Sequence, residues 1–89
     1  MTHPAKKGRK RLSDLPIGSV ATVDSVDQRL PADPIAERLC DLGFVSGEPV
    51  RILAAGPIGA DPLLVQVGFT RFALRHGEAS RVLVQAVQD

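Results

Sequence analysis

The chain has no tryptophan, no tyrosine and only three phenylalanines in 89 residues. Grooves that read polyproline are lined with aromatic side chains, and readers of single-stranded nucleic acid stack bases on them. Neither surface can be built well from this composition. Cysteine is almost missing too. The single Cys40 excludes an internal disulfide and fits a reducing compartment. The longest strongly apolar runs, such as Leu63–Val65, fall far short of a membrane span. The N-terminal bases are not followed by the apolar run of a secretory signal. Together these absences lead us to expect a soluble, cytoplasmic protein.

What is present suits one small domain. Hydrophobic residues make up 44%, mostly Val, Leu and Ala, and 8 Gly and 7 Pro supply frequent turns. The net charge of +1 hides an uneven distribution. Lys6, Lys7, Arg9, Lys10 and Arg11 crowd the first eleven residues with no acid among them. The rest carries six bases against ten acids, a net of −4. Residues 1–11 read as a flexible basic tail, and residues 12–89 as the ordered domain.

Along that domain, Ser19 to Val26 reads as a strand whose uneven apolar spacing (Val20, Val23, Val26) predicts a bulge. Asp33 and Pro34 open a helix over 34–42, as cap and first position. Ile35, Leu39 and Leu42 form its apolar stripe, Gly43 ends it in the left-handed conformation, and Phe44 makes the cap contact. Val50, Ile52 and Ala54 alternate as a second strand, and the breakers of 56–62 read as a loop. Leu63, Val65 and Val67 form a third strand. Phe72 and Leu74 point inward from a fourth, reached through a turn at Gly68-Phe69-Thr70. Residues 75–80 make a short or single helical turn, and Val82, Val84 and Ala86 a fifth strand. The expected fold is mainly β, a small closed barrel of about five strands with one inserted helix.

Three segments carry a resemblance. Leu39-Cys40-Asp41-Leu42-Gly43-Phe44-Val45-Ser46-Gly47 resembles the helix, Leu-Gly, hydrophobic, turn-Gly signature of the FeoA family. The run 57–62 resembles that family's Pro-x-Gly-x-Pro loop, and Phe72-Ala73-Leu74-Arg75 with Glu78-Ala79 its Ala-Leu-Arg turn. Ser46 stands where the family often has Pro, and the basic arm is an addition. The resemblance, covering about Leu12 to Val87, implies an SH3-like barrel. It implies an accessory role in bacterial ferrous iron uptake, in association with the cytoplasmic GTPase region of the membrane transporter FeoB. The runner-up is an SH3-like sensor module, as in DtxR-type metalloregulators. A basic-armed nucleic-acid-binding barrel comes third.

Catalysis finds no support: there is no Gly-x-x-x-x-Gly-Lys phosphate loop and no spacing that pairs a nucleophile with a base. For a metal, the candidates are His76, Glu78, Cys40, Asp41 and Glu37. Glu37 and Asp41, four apart, share a helical stripe; the stronger reading makes them a solvated acidic face and Cys40 a small packing residue. With two His and one Cys, a tetrahedral site needs carboxylates, water, anions or a second chain. No cofactor is required. A weakly held divalent metal, zinc or iron, is expected to be shared between chains of an otherwise monomeric or weakly dimeric protein. The arm is open to three readings: a solvated tail, attraction to an anionic membrane surface, or nonspecific attraction to nucleic acid. For docking, the candidates are the apolar loop residues Phe44, Val45, Pro57 and Ile58, with Asp61 and Arg75 as polar neighbours.

Overall fold

The structure, a computed structural model, describes residues 9–59 and 61–86. Its strands are β1 (Arg9–Arg11), β2 (Val20–Val26), β3 (Pro49–Ile58), β4 (Asp61–Val67), β5 (Thr70–Leu74) and β6 (Val82–Ala86). A 3-10 turn covers Leu12–Asp14, and the two helices are α1 (Pro34–Leu42) and α2 (His76–Ala79). The strands form one antiparallel sheet in the order β1-β6-β2-β3-β4-β5. Strand period decides which residues face inward. Ala21 and Val23, Val50 and Ile52, then Leu63, Val65 and Val67 are buried at alternate positions, and Val82 and Val84 join them from β6. One core cluster takes these residues together with Leu12, Leu39, Phe44, Leu74 and Ala79.

The sheet has six strands among the described residues, where five were expected. The extra strand is made from residues assigned to the tail: Arg9 pairs with Gln85, Lys10 with Val84 and Arg11 with Leu83. A backbone ladder asks nothing of side-chain hydrophobicity, and charged residues suit an edge strand because they discourage further pairing. Arg11 is held besides by its guanidinium, which donates to the Ser80 carbonyl at 2.7 Å and lies 3.4 Å from Asp27. Lys6 and Lys7 lie outside the described residues.

The helix matches expectation at both ends. The Asp33 carboxylate accepts from the Ile35 and Ala36 amides, and Gly43 ends α1 at φ 117°, a conformation that costs glycine little. The buried face is rotated from the expected stripe: Ala36 and Leu39 are inside, while Ile35 is partly exposed. Asp33 turns into the protein and sets the first turn, which brings the residue three positions on, Ala36, underneath. The bulge in β2 falls between Val23 and Ser25.

The expected loop at 56–62 is instead the end of a long hairpin. β3 runs on to Ile58, which pairs with Asp61, and the register slips between Ile52 and Ala54 and again between Ala55 and Ile58. The first slip leaves Ala54 exposed rather than inward. Gly56 permits the second. A Cβ there would run into the Asp61 carbonyl and the Pro62 nitrogen, backbone atoms that cannot swing aside. Gly56→Ala should therefore cost about 1–3 kcal/mol through overpacking. Calorimetry should show Tm lower by several degrees or more; an unchanged Tm would mean that the hairpin yields freely.

Candidate functional site

The framework behind the surface is polar and buried. Asp33 has no exposed area, yet its carboxylate is fully partnered. Oδ2 accepts from Arg81 Nε at 2.8 Å and from the Arg29 amide at 3.0 Å, and Oδ1 from the Ile35 and Ala36 amides. The Arg81 guanidinium hydrogen bond comes first among the causes that hold the Asp33 carboxyl down from 3.8 to about 2; the Arg29, Ile35 and Ala36 amides add to it and outweigh desolvation. Arg81 also donates to the Gly77 carbonyl at 2.7 Å. Arg11 and Arg29 both donate to the Ser80 carbonyl, at 2.7 and 3.0 Å. The start of α1, α2 and the approach to β6 are thus tied together.

α2 is set against the β3–β4 hairpin by the His76 amide, which donates to Asp61 Oδ1 at 3.1 Å. The Arg75 amide donates to Glu78 Oε1 at 2.8 Å within the helix's own N-terminal cap. This places Pro57, Ile58, Asp61, Arg75, His76 and Glu78 at one end of the domain. Ile58 is 81% exposed, and Pro57, Arg75 and His76 are also exposed. Val45 is exposed but lies elsewhere: the Glu48 amide donates to its carbonyl beside the start of β3. Ten strand residues at ~3.3 Å each separate the two ends by up to ~30 Å. Phe44 is not on the surface at all. It has no exposed area, and its ring packs on Phe72 with centroids 5.8 Å apart. Expecting Phe44 at a partner surface was an error; the large ring fills the core under the helix end, where burial outweighs any docking role.

The metal candidates are dispersed. Glu37, Cys40 and Asp41 are exposed on α1, and His76 and Glu78 sit on α2. Cys40 is thus a surface residue and not a packing one. Among the described residues, no three His, Cys, Asp or Glu side chains come close enough together to hold an ion. Two features were missed in the sequence. Arg81 is 48 residues from Asp33, and no local pattern marks the pair. Outward residues on β3, β4 and β5 form a basic row whose members are visible by alternation, but whose alignment depends on register.

No helix among the described residues is long and apolar enough to cross a membrane. The FeoA domain family model matches residues 10–86. FeoA of Stenotrophomonas maltophilia, solved with zinc, is described as a prokaryotic SH3 domain protein and a candidate ferrous iron transport activating factor. It is 58% identical, with 85% of this chain and 89% of that chain covered and a TM-score of 0.79. A FeoA-like protein from Clostridium acetobutylicum is 25% identical, covering 100% of this chain and 93% of that one at a TM-score of 0.79. A manganese-dependent transcriptional repressor shares the fold at 20% identity and a TM-score of 0.73, with 42% of its own chain covered. No curated protein sequence gives a significant match.

The buried carboxylate generates a pH prediction. Above about pH 4 Asp33 is ionised whether the chain is folded or not. Between about 4 and 2 the unfolded chain takes up the proton while the native chain does not, so stability falls as pH falls. In thermal melts from pH 6 to pH 2, Asp33→Asn should start at a lower Tm and decline less steeply. The two curves should converge toward pH 2; parallel curves would contradict the assignment.

Proposed function

The chain belongs to the FeoA family, and from that premise we propose that it is a non-enzymatic accessory protein of bacterial Fe(II) uptake that docks on the cytoplasmic part of the transporter FeoB. The observation that carries this reading is the 58% identity to S. maltophilia FeoA over most of both chains. The docking surface in this reading is the end of the β3–β4 hairpin together with the start of α2. Ile58 supplies exposed apolar area there, and Asp61, paired with it across the hairpin, brings charge to the same end, as do Arg75 and Glu78 of the adjoining α2 turn. An apolar centre inside a polar rim is the usual anatomy of a protein interface. The likeness to the repressor concerns the fold, and no regulatory role is drawn from it.

The test is retention of the full chain by the immobilised cytoplasmic region of FeoB, with and without guanine nucleotide. The unaltered chain should be retained. Ile58→Glu, whose side chain is outside the core, should fold normally and lose affinity by about tenfold or more. No retention in any nucleotide state would remove the FeoB reading. Equal retention of the variant would move the docking surface elsewhere.

The described residues of a single chain do not assemble a metal site, so we place any bound zinc between two chains at the exposed His76. Sedimentation with increasing zinc should show the mass rising toward a dimer, and His76→Ala should abolish the rise. Tight one-to-one binding to a monomer would overturn this arrangement.

A further inference from the structure

A second surface lies on the outward side of the sheet. Val20 pairs with Arg51, Arg51 with Gln66, and Gln66 with Arg71, so one row crosses β2, β3, β4 and β5. The strand neighbours Ala21, Val50, Ile52, Val65 and Val67 are buried, which turns the row's side chains outward. Arg51 and Arg71 are exposed, and Val20 and Gln66 half-buried. Two strand spacings place the α-carbons of Arg51 and Arg71 about 10 Å apart. A pocket of about 180 Å³ opens beside the row, lined by Val20, Pro49, Val50, Arg51, Gln66 and Gly68.

Two properties define what this surface fits. The first is charge. Beyond residue 11 the chain carries net −4, yet the row holds two bases and no acid. Among the described residues neither guanidinium has an ion-pair partner, whereas Arg11, Arg29 and Arg81 all lie beside carboxylates. The second is size. Small-molecule sites run to roughly 300–1,000 Å³; this pocket is smaller, with Val20, Pro49 and Val50 giving it an apolar side. It suits one aliphatic side chain.

We propose that this face binds an acidic, extended peptide segment of a partner protein. An aliphatic side chain of the segment enters the pocket, and carboxylates on either side meet Arg51 and Arg71. Carboxylates two positions before and two positions after that side chain share its face of an extended segment; they lie about 13 Å apart, within reach of two long arginine side chains whose α-carbons are about 10 Å apart. Guanidinium groups favour this ligand because their planar donors pair with both carboxylate oxygens. The face is separate from the hairpin end assigned to FeoB docking, and it stands or falls independently of that assignment. An anionic membrane is the less favoured occupant, because a flat lipid surface has nothing to seat in a pocket.

The probe is the capped hexapeptide Glu-Asp-Leu-Ser-Glu-Asp, titrated into the ¹⁵N-labelled full chain by NMR. Saturable shifts are expected at the amides of Val20, Arg51, Gln66, Gly68 and Arg71. Replacing the probe's Leu by Gly should weaken binding several-fold. The double variant Arg51→Ala with Arg71→Ala should keep the native spectrum and weaken binding at least about tenfold. Vesicles of phosphatidylglycerol and phosphatidylcholine form the second arm. No response of the row, shifts confined to residues 1–11, equal binding of the Leu-free peptide, or a row that responds to vesicles and not to the peptide would each overturn the proposal.

Discussion

The buried carboxylate of Asp33 is the constraint from which much of the arrangement follows. A carboxylate without water must have its lone pairs satisfied, and Asp33 gathers four donors to do so. Two start α1, one belongs to the preceding loop, and one comes from Arg81 just before β6. A single side chain therefore fixes where the helix begins and how it sits on the sheet. The same group explains why Ala36 rather than Ile35 is buried. Arg81 passes the constraint on: it braces α2 through the Gly77 carbonyl, and its own carbonyl accepts from the Asp27 amide. Removing either partner strands the other inside the protein, so the pair acts as one unit.

The second constraint is a core built almost without aromatic rings. Val and Leu fill most buried positions, and Phe44 with Phe72 makes the one ring contact among the described residues. β-branched residues suit the pleated sheet, so the strands tolerate the shortage. Two of the three phenylalanines are committed to that contact. The third, Phe69, stands alone on a tight turn, fully exposed. The SH3-like fold is therefore present without the aromatic-lined groove that reads polyproline. Any recognition is left to aliphatic side chains and guanidinium groups, and exposed ones stand at Ile58 and along the Arg51–Arg71 row.

Elements governed by local chemistry were legible in the sequence. α1 spans 34–42 as read, because Asp33, Pro34 and Gly43 are signals that act within a turn. The inward sets on β4 and β5 follow from alternation alone, and the bulge in β2 from its failure. What could not be read depends on distant partners. β1 exists because β6 offers it a ladder, and nothing in a run of bases announces that. The length of the β3–β4 hairpin rests on Gly56 lying against the backbone of Asp61, a contact between residues that the breakers of 56–62 place in a loop. Phe44 follows a helix-ending glycine, where loop residues are often exposed, but the space beneath α1 needed a large side chain. For the site, membership of the hairpin end was partly legible: Pro57, Ile58, Asp61, Arg75, His76 and Glu78 were all singled out. That they share one end, with Val45 at the other, depends on which strands pair.

The row and the hairpin end lie on the same two strands, and this limits how they can interfere. Arg51 and Ile58 are seven residues apart on β3, ~23 Å at full extension. The Debye length at physiological salt is about 8 Å, so exposed charges at one surface are largely invisible at the other. The net −4 of the domain therefore does not set the preference of the row; the guanidinium groups within reach of the ligand do. The same screening separates Arg75 and Asp61 at the hairpin end from whatever occupies the row. The two surfaces are held at a defined spacing by ladder hydrogen bonds, yet each presents its own charge. A partner that contacts both gains from the fixed spacing only if its own contact points match it. A partner that contacts one leaves the other open.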